Sequence, residues 1–271
     1  MESNPSYAKI ASDLVKQNYV EVPFTISQER LREAADFFLE FLRLPQSLKD
    51  AFTVIADSND RGSDSGYALR KKDAGRSDNK EYFNYRGVTT TLLHDQIEYN
   101  RRNLTIVNFI QSARLIYGEA IEVLRQIVKV LDTRHDGLYS KIFLINPDRL
   151  ICLRFVKYDM TTKGDFLAKA HYDRGCCALA LAESAPGLRV GRDEKSLKEI
   201  VRNGNTAIFM PAYTFARDIG SNMFTPAWHD VVQKSEDTYK DTVARWAIIL
   251  FADVRSDDSI SYENTHIPQK S

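Results

Sequence analysis

The sequence predicts an α+β fold in which helices of the first half support a β-barrel or jelly roll formed by the second half. Up to about residue 146, many apolar residues recur at the three-to-four spacing of amphipathic helices. After Asn146 and Pro147, short β-type runs follow one another, most of them separated by Gly, Pro, Asn or Asp. Many short strands after a set of helices are typical of a sheet-rich core with helical support.

The length predicts how these elements are organised. The chain has 271 residues, which is enough for one large domain with a sizeable core. We predict a single domain without internal repeats. Residues 1–147 form a mainly helical region that includes a loop at about 57–90, residues 148–254 form the jelly-roll core, and residues 255–271 form a polar tail.

Charge and cysteine content limit the classes of function. The 37 basic and 37 acidic side chains balance, so no overall field attracts nucleic acid or acidic membranes. Three cysteines cannot form a paired disulfide framework, and they favour a reducing compartment. The N-terminus lacks the features of a signal peptide, and no stretch approaches the roughly 18 apolar residues of a membrane span. We therefore expect a cytoplasmic protein that binds neither nucleic acid nor membranes.

Two helices are predicted in the first half. One follows a short strand at 19–24, begins near a capping-box spacing at 25–28 and continues to about Leu42, where Pro45 ends it. The other is a long helix from about residue 91 to 132, on which Ile106, Ile110, Leu124 and other apolar residues form one stripe. We expect the long helix to be a scaffold for the sheet.

Between these helices, residues 57–86 are rich in Asp, Ser, Gly, Lys and Arg, interrupted by aromatic residues. Such a stretch is typical of a loop with one or two short strands. It forms a solvated charged loop, or it lines the barrel mouth and binds a small molecule that carries a carboxylate or phosphate. Basic and aromatic residues also alternate in single-stranded nucleic-acid sites, against which the neutral charge balance argues. The candidate substrate residues are Tyr67, Arg70, Phe83 and Tyr85.

Six strands are predicted in the second half, at residues 150–158, 176–182, 187–190, 206–211, 227–233 and 244–254. Under the period-two alternation of a strand, Arg245 and Ala247 share one face of the last strand with Ile249 and Phe251. An arginine that faces an apolar interior needs an anionic partner. A bound dicarboxylate would supply one in bidentate geometry.

Two histidines and one aspartate are the candidate metal ligands. His171 and Asp173 are two residues apart and would project to the same side of an extended segment, and His229 opens a later strand. If that strand lies beside them, the three form a 2-His-1-carboxylate facial triad, which binds Fe(II) and leaves positions open for oxygen chemistry. The alternative is structural, because a lone histidine near a strand is more often a hydrogen-bonded group than a ligand.

The order of these residues resembles that of the Fe(II)/2-oxoglutarate-dependent dioxygenases, in particular the isopenicillin N synthase-like branch. The family signature is His-x-Asp-x-Gly, Gly-Leu-x-Val, His-x-Val and Arg-x-Ser. This chain has the runs 171–175 (HYDRG), 187–190 (GLRV), 229–231 (HDV) and 245–247 (RWA). Residues 41–49, 66–67 and 80–83 are similar to upstream elements of the family, and Tyr158 matches the tyrosine of its Asn-x-Tyr strand. The matches extend over about residues 15 to 254.

The resemblance implies a double-stranded β-helix, that is, a cupin-like jelly roll, with an oxidoreductase activity. It implies Fe(II) as the metal and 2-oxoglutarate and O2 as co-substrates. The reaction implied is hydroxylation, desaturation or cyclisation at a C–H bond of a small molecule. The implied metal ligands are His171, Asp173 and His229, and the implied co-substrate residues are Arg245, Tyr158 and Ala247.

The chain departs from the family pattern in three places. Ala247 replaces the serine of Arg-x-Ser, Val156 replaces the asparagine of Asn-x-Tyr, and the gap between His229 and Arg245 implies a longer hairpin loop at 234–241. The first two departures keep open an iron-dependent oxidase that uses no 2-oxoglutarate. Two further alternatives are a non-catalytic jelly-roll binding module and a cupin-like isomerase or hydrolase with another divalent metal.

Three more residues in or beside the predicted strands are candidates for substrate contact. Arg189, Tyr213 and Arg217 would face the cavity under one interpretation. Arg189 would lie on an outer face under the other, and the sequence favours neither.

Overall fold

The computed structural model describes residues 6–54, 64–71, 80–159, 164–234 and 243–254. Within these ranges, two antiparallel sheets face each other, and helices cover the outer face of the larger sheet. The predicted α+β fold with a jelly-roll core is confirmed. The predicted polar tail and most of the predicted hairpin loop at 234–241 lie outside the described residues. None of the helices in the described ranges combines the length and the hydropathy that a membrane-spanning helix needs.

Nine α-helices lie in the described part of the chain, and most of them are in its first half. They are α1 (Tyr7–Gln17), α2 (Gln28–Leu42), α3 (Gln46–Asp50), α4 (Thr89–Leu92), α5 (His94–Tyr99), α6 (Leu104–Asp132), α7 (Leu138–Phe143), α8 (Pro147–Leu150) and α9 (Phe215–Asp218). The Ser27 side chain caps α2 by accepting a hydrogen bond from the backbone N–H of Arg30.

Eleven strands form the two sheets in these ranges. They are β1 (Val20–Pro23), β2 (Gly66–Arg70), β3 (Lys80–Tyr85), β4 (Ile151–Asp159), β5 (Phe166–His171), β6 (Cys177–Glu183), β7 (Leu188–Gly191), β8 (Lys198–Glu199), β9 (Thr206–Pro211), β10 (Trp228–Val232) and β11 (Val243–Ala252). The larger sheet has the order β1-β9-β6-β11-β4-β3-β2, and the smaller one has the order β5-β10-β7-β8.

The larger sheet separates two apolar clusters. One lies between this sheet and helices α2 and α6, where the Phe109 ring contacts Phe38 on α2 and Phe155 on β4. The other lies between the two sheets and includes Val156 from the larger sheet and Val231 from the smaller one. A side chain on the larger sheet therefore faces either the helices or the space between the sheets.

All six strands predicted in the second half are present, with small shifts at their ends. The stretch predicted as a loop at 57–86 contributes β2 and β3, which extend the larger sheet beyond β4. Strand β5 was not predicted. Its residues are partly exposed because it is an edge strand of the smaller sheet, and edge exposure weakens the apolar alternation on which strand prediction depends.

The predicted start of the long helix was wrong. Helix α6 begins at Leu104, and residues 89–99 form the separate helices α4 and α5. The side chain of Asn103 accepts a hydrogen bond from the backbone N–H of Ile106, which caps α6 at this point. Helix α6 packs against the sheet as a scaffold, as predicted.

Candidate metal centre

The three predicted metal ligands converge at one end of the smaller sheet. His171 ends β5, Asp173 follows it in the turn towards β6, and His229 lies in β10. Strands β5 and β10 are antiparallel neighbours, and their register pairs His171 with His229. One potential ligand atom from each of the three side chains lies within 4.8 Å of the other two.

Hydrogen bonds orient both imidazoles towards the aspartate. Nδ1 of His171 lies 2.7 Å from the carbonyl oxygen of Lys169, and Nδ1 of His229 lies 3.0 Å from that of Ala227. Because a carbonyl oxygen only accepts, each Nδ1 carries the proton and donates, which leaves the Nε2 lone pair available. The Nε2 atoms of His171 and His229 lie 3.6 Å and 3.7 Å from the carboxylate oxygens of Asp173. This arrangement suits a cation, because metal-bound histidines are oriented in this way.

The electrostatics of the cluster favour an ionised carboxylate. Burial alone would raise the pKa of Asp173, but His229 and His171 together lower it to about 2. Burial lowers the pKa of His229, so this imidazole is neutral at pH 7. Burial also opposes protonation of His171, but the interaction with the Asp173 carboxylate and the backbone hydrogen bond to Lys169 together outweigh that effect and raise the pKa of His171. A bound cation would compete with the His171 proton, because metals bind the neutral imidazole.

The backbone after Asp173 is fixed from two sides. The N–H of Tyr213 donates to the carbonyl oxygen of Asp173 at 2.8 Å, and the N–H of Thr214 donates to that of Gly175 at 3.2 Å. A Cβ atom at Gly175 would lie 2.8 Å from the carbonyl oxygen of Ala252 on β11. Glycine at this position therefore permits the close approach of the turn after Asp173 to the larger sheet.

The triad lines a cavity between the two sheets. The cavity is also lined by the co-substrate residues that the family resemblance implies, by four charged side chains and by apolar residues. These three sets are Tyr158, Arg245 and Ala247; Lys80, Arg154, Glu183 and Arg202; and Val156, Ala168, Ala180, Ala182, Leu188, Met210, Val231, Ile249 and Phe251.

Arg245 faces the cavity, as the strand alternation predicts, but it already has an anionic partner. Its Nη2 donates to a carboxylate oxygen of Glu183, and its Nε donates to the carbonyl oxygen of Ala185 at 3.1 Å. Arg245 is 3% exposed, and Tyr158 lies opposite it in the register of β4 and β11. Burial lowers the pKa of Arg245 to about 10, and Tyr158 counteracts this shift. The guanidinium is therefore charged at neutral pH.

Sequence reasoning missed Glu183 and Arg202. Glu183 is the last residue of β6 and pairs in register with Ala247 on β11. Arg202 donates through Nε to Glu183 at 3.3 Å and through Nη1 to the carbonyl oxygens of Ala180 and Leu181. The alternation that places Ala178 and Ala180 towards the smaller sheet would assign Glu183 to the opposite face, but a register shift between β6 and β11 just before Glu183 turns it towards the cavity. Arg202 precedes β9 in a loop, where no periodicity indicates a direction.

The structure corrects the assignment of Tyr67, Phe83 and Tyr85 to the cavity mouth. All three rings are buried in the cluster between the larger sheet and the helices. The strand alternation explains this, because Phe83 and Tyr85 face the helices while Tyr82 packs against the cluster between the sheets. Arg70, at the end of β2, is not among the residues that line the cavity.

The remaining predicted substrate residues also lie outside the cavity lining. Arg189 pairs with Asp230 through two hydrogen bonds of 2.8 Å and 2.5 Å. Its neighbours Leu188 and Val190 belong to the cluster between the sheets, so Arg189 lies on the outer face. Tyr213 is 60% exposed, and its backbone N–H donates to the carbonyl oxygen of Asp173. Arg217 pairs with Asp218.

A second cavity adjoins the first on the side of Asp173. Asp173, Arg154 and Phe251 line both cavities. Arg86, Arg149 and Arg174 also line the second cavity, together with the carboxylates of Asp64 and Asp253. Arg86 pairs with Asp64 and donates to the carbonyl oxygen of Arg149, which is a structural role.

Solved structures share this fold, although no family model and no curated protein matches the sequence. The dioxygenase for auxin oxidation 1 from Arabidopsis thaliana, in complex with 2-oxoglutarate, is 15% identical with a TM-score of 0.63, over 93% of this chain and 89% of that chain. A putative 2OG-Fe(II) oxygenase family protein from Caulobacter crescentus is 17% identical with a TM-score of 0.65, over 93% and 82%. A full-length protein of Neurospora crassa, in complex with alpha-KG and thymine, is 16% identical with a TM-score of 0.62, over 93% and 81%. The chain therefore has the fold of 2-oxoglutarate- and iron-dependent oxygenases.

Proposed function

We propose that the protein is a non-haem Fe(II)- and 2-oxoglutarate-dependent oxygenase that oxidises a C–H bond of a small molecule. The observation that carries this proposal is the position of two Nε2 atoms beside the Asp173 carboxylate, in the same cavity as Arg245. Two imidazoles and one carboxylate suit Fe(II) and leave coordination positions open. Bound iron and 2-oxoglutarate would supply the activation of O2, which no side chain of the protein can provide.

The protein's own residues would bind and orient the reactants. His171, Asp173 and His229 would bind the metal, and the carbonyl oxygens that accept from both Nδ1 atoms would hold the imidazoles in place. Arg245, with Tyr158 opposite it, would bind the distal carboxylate of 2-oxoglutarate. The apolar cavity residues would exclude water from the reaction.

The neighbours in fold support a small organic substrate. The Neurospora crassa structure contains thymine with alpha-KG, and the Arabidopsis thaliana protein is named for auxin oxidation. For the present protein, we propose a substrate that carries a carboxylate or phosphate. The second cavity, with its arginines and its shared wall at Asp173, would receive this substrate next to the metal.

Arg154 is the side chain best placed to bind such an anion. It lines both cavities, and its guanidinium stacks on Tyr82 and Phe251 at 4.7 Å and 5.1 Å from the ring centroids. Its Nε donates to the side-chain oxygen of Asn84 at 2.8 Å. These contacts hold the guanidinium in one orientation near the metal centre, which lowers the entropic cost of binding an anion.

The substrate assignment is tested by screening carboxylated and phosphorylated small molecules for stimulation of succinate release. Arg154→Gln should weaken the affinity for an active substrate by about 1–3 kcal/mol, because it removes one charged hydrogen-bond donor. Arg101→Gln is the matched control, because Arg101 is largely exposed and lies outside the lining of both cavities. Equal substrate affinity in both variants would contradict the role of Arg154.

The metal and co-substrate are tested together by anaerobic titration of the Fe(II)-loaded protein with 2-oxoglutarate. Chelation of iron by the keto acid should give a weak visible charge-transfer band, and His229→Ala should abolish both this band and substrate-dependent succinate release. His94→Ala is the control, because His94 is exposed on α5. A His229→Ala protein that retains both signals would contradict the proposal.

One observation favours a second candidate, an iron-dependent oxidase that uses no 2-oxoglutarate. Arg245, the proposed anchor for the co-substrate, is already paired with Glu183. Iron binding without the charge-transfer band, together with oxygen uptake that does not require the keto acid, would favour the oxidase.

We also propose a cytoplasmic location. Cys152, Cys176 and Cys177 are buried and free. Unpaired thiols are typical of proteins in reducing compartments.

A further inference from the structure

The buried Glu183 carboxylate is already paired with the Arg245 guanidinium, which we propose binds the co-substrate. Glu183 ends β6, Arg245 lies on the neighbouring strand β11, and Nη2 of the arginine donates to Oε2 of the glutamate. Both side chains are enclosed, with 10% and 3% of their surfaces exposed. Among the described residues, the ion pairs of Arg245 involve this glutamate alone. A second carboxylate that enters the cavity therefore meets an arginine that already has its counter-ion.

Glu183 has a second cationic partner whose position does not depend on it. Nε of Arg202 lies 3.3 Å from Oε1 of Glu183. Nη1 of the same arginine donates to the backbone carbonyl oxygens of Ala180 and Leu181 at 3.0 Å and 2.9 Å. Since these backbone bonds hold Arg202, Glu183 can lose its contact with Arg245 and still keep a charged partner.

Glu183, Arg202 and Arg245 together carry one more positive charge than negative charge. Two guanidiniums contact one carboxylate, and burial lowers the pKa of each guanidinium to about 10, so both are charged at neutral pH. Glu21, which lies on β1, raises the pKa of Arg202. The Glu21 carboxylate already accepts hydrogen bonds from Asn203 and Thr206. One entering carboxylate would give each arginine its own anionic partner, which suits a buried site.

We propose that Glu183 determines co-substrate affinity by competing with the distal carboxylate of 2-oxoglutarate for Arg245. When the co-substrate binds, Glu183 is retained by Arg202 and the entering carboxylate pairs with Arg245. This inference rests on the proposed function. The measured affinity is then a difference between two ion pairs of the same arginine. A keto acid without a distal carboxylate does not pair with Arg245, so its affinity does not depend on Glu183.

Glu183→Gln tests this competition by a binding measurement that requires no turnover. The metal-loaded protein is titrated without oxygen by calorimetry, once with 2-oxoglutarate and once with pyruvate, which lacks the distal carboxylate. We expect the Kd for 2-oxoglutarate to fall about tenfold in the variant, because the competing charge is removed, while the Kd for pyruvate is unchanged. Glu199→Gln, on the edge strand β8, is the matched control and should change neither constant.

Arg202→Gln provides the opposite test and covers the case in which Glu183→Gln does not fold. Without Arg202, Glu183 depends on Arg245 alone, so we expect the Kd for 2-oxoglutarate to rise while the Kd for pyruvate is unchanged. An equal or higher Kd for 2-oxoglutarate in Glu183→Gln, or equal shifts for both keto acids, would overturn the inference but leave the proposed function intact. Metal binding without affinity for either keto acid in the wild type, Glu183→Gln and Arg202→Gln would contradict both the inference and the proposed function. Binding of 2-oxoglutarate by Glu183→Gln alone would support the competition.

Discussion

Two glutamates lie between pairs of cations on opposite faces of the larger sheet. Glu81 on β3 faces the helices and contacts Lys49 at 3.0 Å and Lys157 at 2.7 Å. Glu183 on β6 faces the cavity and contacts Arg202 and Arg245. The two carboxylates are similarly enclosed, with side-chain exposures of 12% and 10%. The groups therefore differ in their surroundings and charge balance rather than in burial.

The charges around Glu81 are balanced, whereas those around Glu183 include one excess positive charge. Lys157 also pairs with Asp159 at 3.0 Å, so two ammonium groups meet two carboxylates, and the Tyr67 hydroxyl donates to Glu81 at 2.7 Å. On the cavity face, two guanidiniums contact a single carboxylate. The difference indicates that a buried ion group with balanced charges holds elements together, while an unbalanced one beside the candidate metal centre is suited to binding a ligand.

The largest effect should follow from removing the structural glutamate. Glu81→Ala should destabilise the protein by about 3–5 kcal/mol, because it leaves the buried Lys49 without its carboxylate and removes one of the two carboxylates that contact Lys157. Urea unfolding measures this change, and metal affinity of the folded fraction should be unaltered. Glu122→Ala is the control, since Glu122 forms a partly exposed ion pair with Arg125 on α6 and should cost less than about 1 kcal/mol. A small loss for Glu81→Ala would remove the distinction between the two groups.

The contribution of Glu81 should depend on pH. Burial would raise its pKa, but hydrogen bonds with Lys157, Tyr67 and Lys49 outweigh it and lower the pKa below the ordinary value of 4.5. A lowered folded-state pKa stabilises the protein above the unfolded-state value, and this stabilisation is lost as the pH falls through the folded-state value. The difference in unfolding free energy between the wild type and Glu81→Gln should therefore be full at pH 7 and shrink in acid. A constant difference would show that the charge of Glu81 is not responsible.

On the cavity face, Arg245→Gln should affect binding more than folding. We expect 2-oxoglutarate affinity to fall by about 2–3 kcal/mol, because the distal carboxylate loses its charged partner. Metal affinity should be unchanged, and the protein should fold, because Glu183 keeps its contact with Arg202. Calorimetry with each ligand and thermal unfolding measure these effects. A loss of stability as large as that of Glu81→Ala would mean that the cavity group is also structural.

The smallest effect should come from restoring the hydroxyl that the family pattern has at position 247. Ala247 lines the cavity two residues after Arg245 and lies between Val156 and Glu183 in the sheet. Ala247→Ser should tighten 2-oxoglutarate binding by about 1 kcal/mol through one added hydrogen bond. Pyruvate binding should not change. Weaker 2-oxoglutarate binding would indicate that the hydroxyl bonds to Glu183 instead and strengthens the competitor.

Many helices and strands could be predicted from the sequence because the residue patterns that specify them are local. The strands predicted at 150–158 and 244–254 correspond to β4 and β11, and the apolar stripe from Ile106 onwards predicted α6 except for its start. Strand β5 was missed because its direction depends on pairing with β10 rather than on its own alternation. The break before α6 was missed because the Asn103 cap lies within a run whose apolar spacing is compatible with a helix on both sides.

For the candidate site too, only the residues with a local sequence pattern were predicted correctly. The triad and Arg245 were predicted because short motifs and strand alternation carry them, whereas Tyr67 and Phe83 were assigned to the cavity from composition, which contains no direction. Arg154 was overlooked as a cavity residue, although the alternation of β4 places it on the face of Val156 and Tyr158.

The sequence by itself determined which residues could act as metal ligands and which strand faces they share, because side-chain chemistry and backbone periodicity are local properties. The tertiary structure alone decided that His171 pairs with His229 and that Glu183 lies against Arg245 and Arg202. These contacts join residues from strands and loops that are distant in the chain, and strand order and register bring them together. The charge balance of the cavity is therefore a property of the folded protein.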